Sequence, residues 1–392
     1  MELSILQLFS LLIVFLSLLL AAALLTMHSE NYRSNVLLAL FLIVSAIDSD
    51  SIFLGGYIYP TFPALGIFLS SFVFFKLPLL YLYLLSVIFS DFKLKWKHLW
   101  HGLPFLINFI VFIPRFYIVG TEGQLEYLLS QTISDRQIEV RYSYISLHVQ
   151  IVAYLIFSII LVNKYRRLLL ENYSDASLFN YKWLFQFVVI ISVGFILATF
   201  KNLFMFFGSD EAYFDSMLIT FLAIMIYIVW FVLKTMRHPE LFRGIDSTLQ
   251  LVTTMVKDES DTEPVILIKK TDHPAKFNEK VQVLMNYMLE NEPFLDPSLT
   301  IYDLSKQLDM PAKDLSLLIN HDLNQHFFDF VNGYRIRKAM EMLIDPGKKE
   351  FTVLEILYEI GFNSKSSFNT AFKKYTQTTP TEYRRKHLRS AA

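Results

Sequence analysis

The sequence predicts an all-α protein in two parts, an N-terminal bundle of seven transmembrane helices and a C-terminal domain containing two helix-turn-helix units. Three observations carry this. Nearly all long apolar runs precede Leu233, and nearly all dense charge follows it. The charged part twice shows a short helix, a tight break and a second helix.

A length of 392 residues favours two domains over one, and the boundaries expected are 1–237 for the bundle, 238–275 for a linker and 276–392 for the second domain. With 54% hydrophobic and 18% charged residues, the chain is too apolar for an ordinary soluble protein. The net charge of −1 averages two unlike halves and so says nothing about partners. With no cysteine, disulfides, thiolate metal sites and a cysteine nucleophile are excluded.

The first apolar run, Leu3–Leu25, has a small-residue stretch at Ala21-Ala22-Ala23 that resembles a cleavage site. No Lys or Arg precedes it, and as a helix it would span roughly 34 Å, enough to cross a bilayer, so it reads as a retained span. Six further spans are expected at Ser34–Leu54, Ala64–Phe89, Leu99–Val119, Ser143–Val162, Trp183–Phe207 and Ser216–Leu233. Breaks fall at Gly55-Gly56 with Pro60 and Pro63, at Gly120 and Gly123, and at Gly208. One set of alternate loops carries Arg33, Lys93, Lys95, Lys97, Lys164, Arg166, Arg167, Lys182, Lys234, Arg237 and Arg243. The other set carries Arg136 and Arg141, with Arg115 near a helix end, beside Glu122, Glu126, Asp135, Glu139, Asp210, Glu211 and Asp215. The excess of Lys and Arg on one side places the N-terminus outside and everything after Leu233 in the cytoplasm, in lipid contact through the spans.

Ionisable groups inside spans are expensive and need a reason. Asp48, Asp50, Lys76 and Lys201 lie within the expected spans, with His148 and Gln150 in the fifth. Two readings stay open: a polar pocket facing outwards that takes a small ligand, or internal neutralisation such as an Asp48–Lys201 pair. Lys76 is the deepest, and Pro78 beside it is expected to kink the helix and free backbone carbonyls.

Lys257–Pro264 is polar and reads as loose linker, followed by a short β-branched run at Val265–Ile268. Lys276–Glu290 returns to helical spacing with Phe277, Val281, Leu284, Met285 and Met288 on one face. Such a stripe is either core or a surface for a second copy in a homodimer.

Leu299–Leu308 reads as a helix opened by a capping-box variant at Thr300 and Asp303, broken at Asp309-Met310-Pro311 and restarted over Ala312–Leu323. The pattern recurs as Thr352–Ile360, a Gly361-Phe362-Asn363 turn and Ser364–Tyr375, with Gly361 suited to a left-handed cap. Phe327–Leu343 links the two units. One such unit is a weak signal; two joined by a single helix within about a hundred residues are far more specific.

Tyr334-Arg335-Ile336-Arg337-Lys338-Ala339, Ile356–Phe362, Phe368–Tyr375 and Thr379-Pro380-Thr381-Glu382-Tyr383-Arg384-Arg385 together resemble the AraC-type (AraC/XylS) DNA-binding domain over about Pro293–Arg389. The upstream half resembles, less specifically, the membrane-bound branch of that family. The resemblance implies double-stranded DNA as partner, a bacterial inner-membrane location and no cofactor or metal. It places base reading at Lys313, Ser316 and Leu317 in the first unit and at Lys365, Ser366, Asn369 and Thr370 in the second. Asn can pair with adenine through two hydrogen bonds, and a leucine can meet a thymine methyl. Lys373 and Lys374 follow as phosphate contacts, and from Val331 onwards basic residues outnumber acidic ones.

Five positions depart from the family pattern. Leu317 stands where relatives often carry Arg, Asp314 and Asp322 make the first unit's second helix acidic, and Asn324 and Gln377 replace glycines. The second unit is therefore expected to contribute more to DNA binding.

No phosphate-cradling glycine loop, paired-His zinc motif or serine elbow is present, which argues against an enzyme. The leading expectation is a membrane-embedded regulator in which a small-molecule or membrane signal, sensed by the bundle, controls DNA binding. A transporter or membrane enzyme with a regulatory tail is the alternative, and a pure membrane anchor is a third reading.

Overall fold

The computed structural model describes residues 4–26, 32–49, 55–89, 91–129, 137–174, 181–207, 209–237 and 274–390. Asp50 and nearly all of the expected linker 238–275 lie outside them. The chain divides into two compact units: Met1–Val162 with Tyr181–Ser247, and Asn163–Asn180 with Thr248–Ala392. An isolated antiparallel bridge joins Tyr173 and Thr300.

The first unit is built from α1 (Ile5–Thr26), α2 (Tyr32–Ser49), α3 (Gly55–Thr61), α4 (Pro63–Ser71), α5 (Lys76–Ile88), α6 (Leu103–Phe112), α7 (Thr121–Leu129), most of α8 (Ile138–Asn172), α9 (Tyr181–Phe207) and α10 (Asp210–Arg237). Seven segments are long and apolar enough to cross a membrane: Ile5–Thr26, Tyr32–Ser49, Pro63–Ile88, Trp96–Tyr117, Ile138–Asn172, Tyr181–Phe204 and Glu211–Phe231. They fall on the seven expected runs. The fifth differs most, because α8 runs for 35 residues rather than ending at Val162. Polar Lys164, Arg166 and Arg167 do not stop it, since Lys and Arg are good helix formers.

The expected break near Pro78 is present. A 3-10 turn, Phe72–Phe75, separates α4 from α5. Proline has no N–H to give the carbonyl four residues back, which is that of Phe74. Gln150 of α8 supplies the missing donor, its Nε2 standing 3.0 Å from the Phe74 oxygen. Other buried polar groups are matched in the same way. Asn108 Nδ2 donates to Ser71 Oγ at 3.0 Å, Ser143 Oγ donates to Asn108 Oδ1, and Ser10 Oγ donates to the Ser49 carbonyl at 2.6 Å. With no water to substitute, each pairing avoids the cost of an unmatched polar group in hydrocarbon.

The second unit contains α11 (Pro274–Glu290), α12 (Ile301–Gln307), α13 (Ala312–Ser316), α14 (Phe327–Ile344), α15 (Val353–Glu359), α16 (Lys365–Thr376) and α17 (Pro380–Ser390). It has two hydrophobic cores. One gathers Leu284, Met288, Phe294, Leu304, Leu315, Ile319, Phe327 and Val331; the other gathers Ile336, Ala339, Leu343, Ile356, Leu357, Phe368 and Phe372. The central helix α14 contributes its first half to one core and its second half to the other. Leu284 and Met288 of the apolar stripe on α11 are thereby used inside their own domain, whereas Met285 stays 37% exposed.

Capping boxes start α12 and α15, with Thr300 accepting from the Asp303 amide and Thr352 from the Glu355 amide. Thr379 and Glu382 exchange equivalent bonds before α17. These bonds hold the carboxyls of Glu355 and Glu382 below the ordinary range. The caps are therefore fully present above that range and are lost as pH falls through the lowered values.

Gly361 (φ 86°) ends the turn after α15 in the left-handed region, and a Cβ there would stand 2.6 Å from the Leu295 carbonyl oxygen. Asn324 (φ 50°) and Gln377 (φ 61°) also occupy left-handed conformations. Gln377 does so without glycine's freedom, its Nε2 donating to the Lys374 carbonyl at 3.2 Å. Gly361→Ala is expected to destabilise the second unit by at least about 2 kcal/mol, from conformation and overlap together. Gln377→Gly should stabilise it by about 1 kcal/mol. Amide hydrogen exchange of α15 and α16 in the intact protein measures both.

Candidate nucleic-acid interface

In the second helix-turn-helix unit, Ser364 caps α16 by accepting from the Ser367 amide at 3.1 Å. Phe368, Ala371 and Phe372 fix the inner face of that helix in the core. Helical spacing then turns Lys365, Ser366, Thr370, Lys373 and Lys374 to solvent, with Asn369 half-buried beside them. All six predicted positions of this unit share the outward side. Lys374 is already engaged there, its Nζ lying 2.6 Å from Asp329 Oδ1.

The first unit is different. Its second helix is a short α13 that continues as a π-helical turn, Leu317–Asp322. Lys313 is exposed and Leu317 half-buried, but Ser316 is only 2% exposed, which corrects its expected place on an open outer face. Asn320, one turn on, explains the burial. Its Nδ2 donates to Ser316 Oγ at 3.2 Å and to the Glu171 carbonyl at 3.2 Å, while its Oδ1 accepts from the Phe327 amide at 3.0 Å. The Glu171 carbonyl that Asn320 reaches is 149 positions upstream, a contact that no local pattern announces.

Several basic residues counted towards DNA binding are committed elsewhere. Arg335 is fully buried, Lys338 pairs with Glu292 at 2.6 Å, which raises its pKa, and Lys348 pairs with Glu359 at 2.6 Å. Arg384 donates to the Phe351 carbonyl at 2.6 Å. Lys365 and Lys373 on α16 and Arg385 on α17 are exposed.

Among the membrane positions, Lys76 Nζ lies 2.8 Å from Asp48 Oδ2 and 5.7 Å from the Phe195 ring centre. The Asp48 partner is thus Lys76 rather than the Lys201 named as an alternative, although the Lys201 charge also acts on Asp48. A pair of unit charges is favoured in this low-dielectric setting because each neutralises the other. His148 Nδ1 stands 2.6 Å from the Tyr144 carbonyl, and its Nε2 is 3.4 Å from Asn202 Nδ2. Gln150 serves the Phe74 carbonyl, as described above. Asn202 and Phe195, both on α9, were not singled out from the sequence.

Residues 304–386 match the helix-turn-helix domain family. Over 87 residues, 22% of this chain and 29% of the relative, the sequence is 30% identical to an uncharacterized HTH-type transcriptional regulator, YdeC, of Bacillus subtilis. It is 32% identical over 93 residues to the transcriptional regulatory protein YesN of the same organism, covering 23% and 25% of the two chains. It is 26% identical over 132 residues to the melibiose operon regulatory protein of Escherichia coli K12, covering 32% and 41%. The chain thus spans less than half the length of these curated relatives. Among solved structures, the C-terminal domain of the response regulator yesN from Fusobacterium nucleatum is 30% identical, covering 27% of this chain and 98% of that one, with a TM-score of 0.24. The C-terminal part of the chain is an AraC-type helix-turn-helix domain, and its homologues are AraC/XylS-type regulators.

Asn369→Ala is expected to weaken binding to a selected duplex by about 1–3 kcal/mol and to relax preference at one base pair. Lys373→Ala should weaken all duplexes alike and reduce the salt slope of binding by about one. Gel-shift titrations at several salt concentrations distinguish the two. A larger loss from Lys313→Ala or Leu317→Ala than from Asn369→Ala would reverse the ranking of the two units.

Proposed function

We propose that the chain is a membrane-embedded one-component transcription regulator, in which the seven-helix bundle senses a signal and thereby controls sequence-specific DNA binding by the cytoplasmic domain. The observation that carries this reading is the joining, in one chain, of seven helices fit to cross a membrane and an AraC-type domain. A domain that meets chromosomal DNA must be cytoplasmic, and the Lys/Arg asymmetry of the loops independently favours the same side. The setting is the bacterial inner membrane, with the N-terminus outside.

The sensing site in this reading is the charged cluster of Asp48, Lys76 and Lys201, with the neighbouring His148–Asn202 pair. An ion pair within a span is the kind of group a polar ligand can rearrange by competing for one partner. Base reading falls to Lys365, Ser366, Asn369 and Thr370 on α16. A second copy of the chain would place two such domains on paired half-sites and raise their effective concentration.

Reporter fusions test the arrangement. A reporter joined after Leu233 is expected to be active only in the cytoplasm, and one placed within Gly120–Tyr142 only outside; the reverse pattern would sink the proposal. For sensing, the Asp48→Leu and Lys76→Leu double variant should abolish signal-dependent transcription while leaving the DNA affinity of the protein in membranes within twofold. A full response from that variant would remove the cluster from the sensing site.

A further inference from the structure

We propose that the cytoplasmic end of α8, Asn163–Ser174, is an intramolecular clamp on the first helix-turn-helix unit, and that in the clamped form only the second unit reads duplex DNA. This rests on the regulator reading above and adds to it the element that connects the two halves.

The length of α8 is the first ground. Thirty-five helical residues extend about 52 Å, against about 30 Å of hydrocarbon, so roughly ten or more residues must project beyond the membrane core. The residues from Asn163 onwards belong to the second unit, with the helix-turn-helix domain. There they are not a loose extension. Tyr165, Leu168, Leu169, Glu171, Asn172 and Ser174 are all buried.

The second ground is what they touch. The Ser174 amide donates to the Leu299 carbonyl at 3.1 Å, and Tyr173 forms a bridge with Thr300, the cap of α12. The Ser174 carbonyl accepts from Asn332 Nδ2 at 3.3 Å and from Arg335 Nη1 at 3.2 Å, and Ser174 Oγ accepts from Arg335 Nη2 at 3.2 Å. The Glu171 carbonyl accepts from Asn320, the residue that also holds Ser316. The helix end therefore grips the start of α12, the turn after α13 and the first half of α14. Every one of these belongs to the first unit or to the helix that carries it.

The third ground is the asymmetry between the two units. The second presents its candidate base-reading side chains to solvent, whereas the first has Ser316 covered through Asn320. Because α8 is also a candidate span, a rearrangement of the bundle reaches the clamp without crossing the 238–275 linker. Slippage by one residue, about 1.5 Å with about 100° of rotation, is enough to take the Ser174 carbonyl off both donors. The first unit is then free to enter the next major groove.

The chain has no cysteine, so an engineered pair is unambiguous. Residues opposed in an antiparallel bridge lie within disulfide range. The full chain carrying Tyr173→Cys and Thr300→Cys is placed in lipid nanodiscs, oxidised or reduced, and offered a pool of random 40-base-pair duplexes. Recovered duplexes are mapped by hydroxyl-radical footprinting. A second variant, Ser174→Pro, removes the Ser174 N–H and hydroxyl without altering the helix-turn-helix residues. The oxidised protein should protect one major groove. The reduced protein in the released state and Ser174→Pro should extend protection by about one helical turn and bind at least tenfold more tightly. Two protected grooves in the oxidised form, or one in Ser174→Pro, would overturn the clamp. Recovery of no duplex by any form, wild type included, would instead overturn the DNA-binding reading itself.

Discussion

The second unit depends on one buried cation that hydrogen-bonds to the backbone of two separate segments. Arg335 sits in the middle of α14 with its side chain fully enclosed. Its Nε donates to the Phe294 carbonyl at 2.7 Å, its Nη1 to Asn332 Oδ1 and the Ser174 carbonyl, and its Nη2 to the Asp296 carbonyl and Ser174 Oγ. Its guanidinium carbon also lies 5.6 Å from the Phe362 ring centre, in the core of the second helix-turn-helix unit. An enclosed guanidinium tolerates little vacancy, because each unmatched donor costs about 1–3 kcal/mol or more for a charged group. The entry to the first helix-turn-helix, the turn of the second and the chain just after α8 thus meet at the same side chain.

This arrangement accounts for why the basic character of the domain overstates its readiness for DNA. Arg335, Lys338, Lys348 and Lys374 are spent on internal carbonyls or carboxylates. The exposed Lys365, Lys373 and Arg385 lie on α16 and α17. The first unit, with Asp314 exchanging charge with Lys280 at 3.5 Å and Ser316 enclosed, carries little free positive potential. The difference between the units is therefore one of packing as well as sequence.

Much of the architecture was legible in the sequence because bilayer thickness and helical periodicity are local constraints. The seven apolar runs, the two tight turns and the capping pair Thr300 and Asp303 all reduce to spacing and composition over a few residues. Gly361 was legible for the same reason, although its close approach to Leu295 was not. What escaped was non-local. Nothing near Val162 indicates that α8 continues, since the residues that stabilise its end are Leu299, Asn320, Asn332 and Arg335. The role of Gln150 escaped for a related reason: its amide answers a vacancy created by Pro78, 72 positions away on another helix. Ser316 has the right spacing for base reading, but it is only 2% exposed and its hydroxyl accepts from Asn320.

The polar groups of the bundle divide in a similar way. Gln150 and Ser10 donate to backbone carbonyls, and Asn108 donates to the Ser71 hydroxyl. The Asp48–Lys76 pair has no such backbone vacancy to fill, and two opposite charges in a span are rarely kept where apolar side chains would pack as well. The most direct measurement of the central claim is a genome-wide DNA-occupancy map of the full chain, recovered from the membrane fraction of cells. The account predicts discrete sites sharing a sequence motif, lost in a chain carrying Asn369→Ala and Lys373→Ala that still reaches the membrane. Occupancy no higher than that of an unrelated membrane protein, or sites unchanged by those substitutions, would contradict it.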